Sequence, residues 1–418
     1  MRTTAPIQVI ITNADFSNRG GEAMVRCVQR GIVDRLAPGS TAVVLSRGRS
    51  TPTPRQLMGL GVMKCPPTVA RVCRAAVAQY LRRGAQVRAI IDISGYRYFD
   101  PGPHVALSLR TRAKRMGSQA IRTLSGGLAD EQCLAPTSYY LPQAWGPFRT
   151  KQSYSTASRI LRRASLVYAR DEESLNWLRD LPGYDPAKVR IASDIAFTFQ
   201  GAGDDVGHLL IRGAGLPDDE SPLVGVVPNM RVYERTGTAV AENAYIVALA
   251  AVVQRMVDAH GARVLLMPHE ILPAGSPRTD DRFLCRLLLE GTARPGRVGA
   301  LLGEYSAEEL KAAIGLVDLL ISSRFHALIA ALSLRRPAVC VSWSHKYHHL
   351  MADVGLGAYV TEHGSIGSGD LVALCNEAWN QRADLSAKLE GTVPACESSA
   401  RGVLDTVVAS IGRAYGVS

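Results

Sequence analysis

The chain has 418 residues, long enough for two domains with separate cores, and its 47% hydrophobic and 20% charged content is that of a folded globular protein. The formal net charge of +11 favours an anionic partner: a phosphate ester, a nucleotide, nucleic acid or an anionic membrane surface. The basic residues are scattered, with loose enrichment in 71–88, 110–122 and 159–163, and no nucleic-acid motif accompanies them, which argues for an anionic substrate and against nucleic acid.

The first element is a strand over Gln8–Thr12. Its apolar run is too short for a signal-peptide core or a membrane span. The eight cysteines are dispersed without a CxxC pair, the usage of a reduced chain, and Cys340 sits in a buried-strand pattern. The expectation is a cytoplasmic protein. A polar loop, NADFSNRGG, follows, then a helix over Glu22–Leu36 with apolar Ala23, Val25, Val28, Ile32 and Leu36. Strand, glycine-bearing loop and helix resemble a phosphate cradle, but neither GxGxxG nor a Walker lysine is present.

Further strands are predicted at Thr41–Leu45, Val87–Ser94, Thr137–Pro142 and Leu166–Ala169, with helices around 68–82 and 152–163. The loop Gly95–Pro103 is rich in aromatic and turn residues and lies at a strand end, where functional groups gather. Arg170 to Ser174 opens a helix with acidic residues in its first turn, and Asp194 closes a short strand. Between about 200 and 221 Gly, Asp and Pro dominate, and the domain boundary is placed there, giving 1–205 and 206–397.

The second half restarts with a strand at Leu223–Val227 and the loop Pro228–Arg231. A helix over 240–259, a strand at Arg263–Met267 and the loop Pro268–Glu270 follow. Ser306–Ile314 is a helix with a capping box, Ser306 to Glu309. Leu316 to Trp343 then forms one βαβ unit: a buried strand to Ile321, the caps Ser322 and Ser323, an apolar helix Phe325–Leu334, and a strand Ala338–Trp343. A short helix at Leu350–Leu356 and a terminal helix at 398–416 complete the chain. There is no internal repeat and no low-complexity segment. The alternation predicts an α/β protein of two doubly wound Rossmann-like domains facing a cleft.

In open α/β sheets, ligands bind beyond the carboxyl ends of the strands. Four second-domain loops of this kind carry basic groups: Arg231, His269, the pair Arg324 and His326, and Lys346. Ser323 stands beside that pair at a helix start, where unpaired N–H groups and the helix dipole hold anions. Singly, each has an ordinary structural reading: a surface charge, a satisfied loop histidine, a carbonyl cap, a packing histidine. Their convergence on one crevice suits a small, doubly anionic substrate, since arginine binds phosphate and carboxylate bidentately and histidine delivers protons near neutral pH. The expected site has no obligatory carboxylate. His345, His348 and His349 lack an acidic ligand at helical spacing, so no metal is expected. Ser323 is not a nucleophile elbow, because GxSxG is absent.

The stretch ISSRFHALIAALSLRRPAVCVSWSHKYHHLMADVGL resembles the signature of the polysaccharide pyruvyl transferase family. LPQAWGPF, VYARDEESLNWL and NRGGEAMV are similar to further family segments, in the right order over most of the chain. Phe325 stands for the usual Leu, Glu22 lies near a usual Asp, and Ser94-Gly95 stands for the usual Gly-Gly.

The resemblance implies a glycosyltransferase-B-like fold whose terminal helix, 398–418, returns to the first domain. It implies transfer from phosphoenolpyruvate to two hydroxyls of a saccharide, free or lipid-linked, to form a ketal with release of phosphate and without a cofactor. On this reading Arg324 and Arg231 hold phosphate and carboxylate, with Ser323 and Lys346 beside them. His326 or His269 protonates the methylene carbon. Asn18, Gly20, Gly95 and Gln143 mark the acceptor side.

Three other classes stay open. A glycosyltransferase or nucleotide-sugar epimerase of the same fold would need a nucleotide contact, with Glu304 and Asp280 as candidates. A non-catalytic carbohydrate binder would not need the Arg-x-His motif. A basic nucleic-acid or membrane-surface binder would show steep salt dependence; loose association with membrane-bound sugar lipids is compatible with the charge.

Overall fold

A computed structural model describes residues 6–46, 61–64, 87–98, 135–237, 243–272, 280–292 and 294–416. The expected helix at 68–82, the loop beyond Tyr98, and basic stretches 71–86 and 110–122 lie outside them.

Two parallel sheets form the frame. The first contains β1 (Ile7–Ala14), β2 (Thr41–Ser46), β3 (Gly61–Lys64), β4 (Val87–Asp92), β5 (Tyr96–Tyr98), β6 (Thr137–Trp145), β7 (Leu166–Ala169) and β8 (Val189–Ile191). Its order is β3-β2-β1-β4-β6-β7-β8, with β5 paired to β6. The second contains β9 (Leu223–Val227), β10 (Arg263–Leu266), β11 (Val298–Ala300), β12 (Leu319–Ser322), β13 (Ala338–Ser342) and β14 (Val360–Glu362), in the order β11-β10-β9-β12-β13-β14. Strands such as LVGVV and AVCVS are buried along their whole length and almost wholly apolar because helices cover both faces of a parallel sheet. Each order reverses once, between β1 and β4 and between β9 and β12, which opens a crevice at the carboxyl ends of those strands.

The helices that place the site are α1 (Arg19–Gly31), α2 (Lys151–Arg163), α3 (Glu172–Arg179), α4 (Asp204–Gly213), α5 (Met230–Thr236), α6 (Ala244–His260), α7 (Arg282–Thr292), α8 (Ala307–Gly315), α9 (Phe325–Ser333), α10 (Lys346–Asp353), α11 (Ser368–Asn380) and α12 (Arg382–Tyr415). The capping box at α8 forms as expected, with both of its hydrogen bonds present.

Several boundaries differ from the sequence reading. The Gly/Asp/Pro-rich stretch expected to hold the domain boundary contains α4, which packs on α8 through Gly207: a side chain there would meet the Ala312 carbonyl. The division at 205/206 therefore falls inside a helix of the second body. Pro228–Arg231 is not all loop, because Asn229 caps α5 by accepting from the Arg231 N–H (2.9 Å). Asp194 does not end a strand; it caps a 3-10 turn over Ile195–Thr198.

The terminal helix begins at Arg382 rather than 398 and spans 34 residues. Its first half lies on the second domain, where Thr392 Oγ1 donates to the Val354 carbonyl. Its second half reaches the first domain: Ser399 Oγ accepts from Ser193 N (3.0 Å), and the Tyr139 hydroxyl donates to Ser410 Oγ (3.2 Å). One continuous apolar cluster runs from β1 through β9 and β12 to Val407 and Ile411 of α12, so the two domains share a core.

Candidate active site

The turn from β12 into α9 is built by Ser322, whose hydroxyl accepts the Arg324 N–H (3.0 Å). This turns the Arg324 side chain into a buried pair of carboxylates. Nη1 donates to Glu270 Oε2 at 2.7 Å and Nη2 to Asp281 Oδ1. Burial opposes the guanidinium charge, but Asp281 and Glu270 outweigh it and hold Arg324 protonated. Asp281 is fully buried and also accepts the N–H groups of Met230 (3.1 Å), His269 (3.1 Å) and Glu270 (2.8 Å). One carboxylate thus ties together the chain after β9, β10 and β12. Ser323 is committed as well: its hydroxyl pairs with Tyr245 OH (2.8 Å), and its carbonyl accepts from Asn229 Nδ2 and Tyr347 OH.

His326, one position into α9, faces a cluster of cations. Its Nε2 lies 3.8 Å from Asp194 Oδ2, and the same oxygen accepts from Arg170 Nη1 at 2.8 Å. The Arg170 guanidinium lies 4.2 Å from the centroid of the Phe325 ring. Lys346 is 9% exposed, and its ammonium stands 5.0 Å from the Phe325 ring, 5.0 Å from Trp343 and 5.5 Å from Tyr347. The exposed Arg231 lies 6.0 Å from the Trp343 ring. Burial, then the charges of Arg170 and Arg231, push Lys346 well below the usual lysine range. Burial pushes His326 down to about 4; Asp194 opposes this, and Arg170 and Lys346 add to it. His269 is lowered well below its ordinary value, by burial first and then by His326, Arg324 and Arg19. Both imidazoles are therefore neutral at pH 7 in a region that would gain stability from an added anion.

Two pockets lie near His326, which lines the first; its neighbours Asp194 and Phe325 line the second. One, of about 320 Å³, lies at the seam between the domains and is lined by Arg19, Phe199, His269, Lys311 and His326. The other, of about 300 Å³, is lined by Arg170, Asp194, Phe325, Lys346 and Asp353. The first domain closes the seam with α1. Arg19 N donates to the His269 carbonyl (3.0 Å), and Ile271 N donates to the Ser17 carbonyl (2.8 Å). Asn18 caps α1 by accepting from Gly20 N, and Gly20 rests against the His326 ring.

Behind this, at the β1/β4 reversal, Asp92 accepts from Ser94 Oγ (2.6 Å), Thr12 Oγ1 (3.2 Å) and Gln143 Nε2 (3.4 Å). Arg170 connects the two regions. Its backbone N–H donates to the Gln143 carbonyl (3.1 Å) and its Nη2 to the Gly95 carbonyl (3.4 Å).

The sequence profile described as polysaccharide pyruvyl transferase matches residues 135–345, half of the chain. The chain belongs to the polysaccharide pyruvyl transferase family. It is also 21% identical over 275 residues to the amylovoran biosynthesis protein AmsJ of Erwinia amylovora. That match covers 66% of this chain, and the chain spans 65% of the relative's length. Among solved structures, a glycosyltransferase from Rickettsia africae ESF-5 is similar over 98% of both chains, with 10% identity and a TM-score of 0.56. The UDP-GlcNAc 2-epimerase of Neisseria meningitidis bound to UDP-GlcNAc has 9% identity, coverage of 96% and 99%, and a TM-score of 0.57. A putative UDP-N-acetylglucosamine 2-epimerase of Listeria monocytogenes has 10% identity, coverage of 98% and 97%, and a TM-score of 0.58. At such identities the likeness is one of fold, two Rossmann-like domains.

Within this pyruvyl transferase framework, His326 and His269 line one pocket and Lys346 the other, and the exposed Arg231 shares the Trp343 ring with Lys346. Two expectations need correcting. The site does contain carboxylates: the terminal nitrogens of Arg324 are taken by Glu270 and Asp281, so it is a buried strut with one unpartnered atom, Nε. Ser323 is 1% exposed with its hydroxyl bonded to Tyr245, and it supports the turn instead of offering a ligand contact. Asn18 and Gly20 lie at the seam itself, whereas Gly95 and Gln143 lie one layer back, joined to it through Arg170.

Of the nucleotide candidates, Asp280 is tied up by Arg282 (2.6 Å) and Glu304 is exposed. His345 and His349 flank Glu173 of α3 at 3.9 and 3.5 Å, and His348 pairs with Glu362. Arg170, Asp194, Arg19 and the rings around Lys346 were not anticipated. Their signal was available in part, since Arg170 directly follows a buried strand, as Arg231 and His269 do. Among the described residues, no helix is long and apolar enough to cross a membrane, and five cysteines, Cys27, Cys285, Cys340, Cys375 and Cys396, are free and buried.

Proposed function

We propose that this chain transfers the three-carbon unit of phosphoenolpyruvate to two hydroxyls of a saccharide, giving a cyclic ketal and phosphate. The observation that carries the reading is the position of His326, wedged between the domains beside Arg170 and Lys346, with Arg231 next to Lys346. A donor that is both phosphate ester and carboxylate suits those cations, and its methylene carbon needs a proton from a neighbouring acid. The family membership supports the donor and acceptor classes.

In the proposed reaction the donor's anionic groups lie against Lys346, Arg231 and Arg170. Charge-assisted hydrogen bonds in a site shielded from water are the strong ones. His326, in its protonated form, gives its proton to the methylene carbon, which becomes a methyl group. The electron-poor central carbon takes the first saccharide hydroxyl, whose proton returns to His326. Phosphate then leaves with the C–O electron pair, and the second hydroxyl closes the ketal. Its proton ends on phosphate, so the trianionic donor and a diol become a ketal carboxylate and hydrogen phosphate. His269, which lines the same seam pocket, is the second candidate for the proton relay.

Thermal-shift titration with phosphoenolpyruvate, pyruvate and a panel of uridine and guanosine diphosphate sugars tests the reading. A ligand at about 100 times its dissociation constant adds roughly 2.7 kcal/mol of stability. A shift with phosphoenolpyruvate, followed by acceptor-dependent phosphate release that falls at least tenfold in His326→Gln, supports it. A shift with a nucleotide sugar and none with phosphoenolpyruvate moves the assignment to nucleotide-sugar chemistry.

A further inference from the structure

The proposed acid has a difficulty: in the free protein His326 is neutral at pH 7, because burial and the cations Arg170 and Lys346 outweigh Asp194. An acid that carries no proton cannot donate one. The geometry around Asp194 offers a solution. Its Oδ1 is fixed, accepting from Ala196 N at 3.0 Å. Its Oδ2 stands between two claimants, Arg170 Nη1 at 2.8 Å and His326 Nε2 at 3.8 Å. Asp194 is 1% exposed, so water does not screen that choice. His326 Nε2 is buried and has no hydrogen-bond partner among the described residues. The ring is held edge-on to Phe325 (centroids 5.6 Å apart, planes at 87°) and is backed by Gly20. The remaining charged or titratable neighbours come from separate elements: Arg19 on α1, His269 after β10, Lys311 on α8 and Lys346 on α10.

We propose that Arg170 is a clamp released by the anionic donor. The donor draws the Arg170 guanidinium from Asp194, and the freed carboxylate pairs with His326 and holds a proton on it, so the donor recruits its own acid. This rests on the phosphoenolpyruvate reading and adds the regulation of that site. Little holds Arg170 besides Asp194: its other side-chain polar contact is a long one, Nη2 to the Gly95 carbonyl at 3.4 Å, and its guanidinium lies over the Phe325 ring. The proton comes from solvent on binding and goes to the methylene carbon; the first hydroxyl then restores it to His326, and it returns to solvent when the products leave. A ligand of two to three negative charges about 5 Å away raises an imidazole by roughly five pH units or more at an effective dielectric constant near 20, about 2.4 per charge, enough to carry His326 from about 4 past pH 7.5. Asp194 is on this view a positioning residue, acting through His326.

Two measurements test the proposal. The first needs no donor: the His326 ring is titrated by NMR in the free protein. Arg170→Gln releases Asp194, so the His326 pKa rises by one unit or more over wild type; an unchanged or lower value overturns the clamp. The second is calorimetry of phosphoenolpyruvate binding at pH 7.5 in buffers of different ionisation heat. Wild type takes up about half to one proton per donor bound, and both His326→Gln and Asp194→Asn, checked for native circular dichroism, lose most of it. Binding without proton uptake overturns the proposal and leaves the pyruvyl transfer reading standing. Uptake that persists in His326→Gln assigns the proton to another group, such as Lys346, and also overturns it. Failure of phosphoenolpyruvate to bind while a nucleotide sugar binds overturns the functional reading itself.

Discussion

Gly20 of α1 leaves the space that the His326 imidazole fills: a single carbon added at Gly20 would overlap Nδ1 and Cγ of the ring. The first domain therefore sets the position of the second domain's candidate acid. Gly20→Ala must push the ring aside or part the seam, since the obstacle is a ring clamped by Phe325 rather than a flexible chain end. The expected result is a loss of kcat of roughly 100-fold with the urea midpoint little changed, because misplacement by about 1 Å carries that cost. Steady-state phosphate release with a working acceptor measures it; near-wild-type kcat would show that the contact does not position the acid.

Asp281 is the hub under the site. Asp281→Ala leaves Arg324 buried with one carboxylate instead of two and orphans the N–H groups of Met230, His269 and Glu270. Breaking a buried pair this way costs about 3–5 kcal/mol. Urea denaturation should show that loss, and Asp281→Asn, which keeps an acceptor, should lose less.

Arg231 is the exposed cation of the cluster. Arg231→Ala should raise KM for the anionic donor roughly 10- to 100-fold, the worth of one charge-assisted hydrogen bond, with a smaller effect on kcat. Kinetics at two salt concentrations check it: wild-type KM should rise with ionic strength more steeply than that of the variant.

His326 also makes stability depend on pH. In the unfolded chain an imidazole titrates near 6.5, whereas in the folded protein burial lowers it to about 4. Between these values the unfolded state binds more protons, so the group's contribution is fully present above about pH 6.5 and is lost as pH falls towards 4. The change is up to about 3 kcal/mol, and His269 acts in the same direction. Urea midpoints from pH 4 to 7.5 should rise more steeply in wild type than in His326→Gln; equal slopes would exclude His326 as a source.

Much of the fold was legible in the residues. The βαβ unit from Leu319 to Ser342 was, because buried parallel strands are written as unbroken apolar runs and its helix as an apolar segment after two serines. The α8 capping box was, because both partners lie within one turn. Helix α4 was not, because its DDVGHLLIRG sequence sits among glycines and gains its stability from packing on α8.

The site divides in the same way. That basic groups stand at the ends of the second domain's strands is readable along the chain, since strand ends and side-chain types are local properties. What those groups do follows from contacts made between distant parts of the folded chain. Arg324 lies 54 residues from Glu270 and 43 from Asp281, and no local pattern records that it is neutralised. Asp194 meets His326, and Gly20 meets the same ring, only because two domains share a core and one crossover helix. Charges and rings far apart in the chain acquire a common environment when water is removed between them, and that environment sets which nitrogen carries a proton.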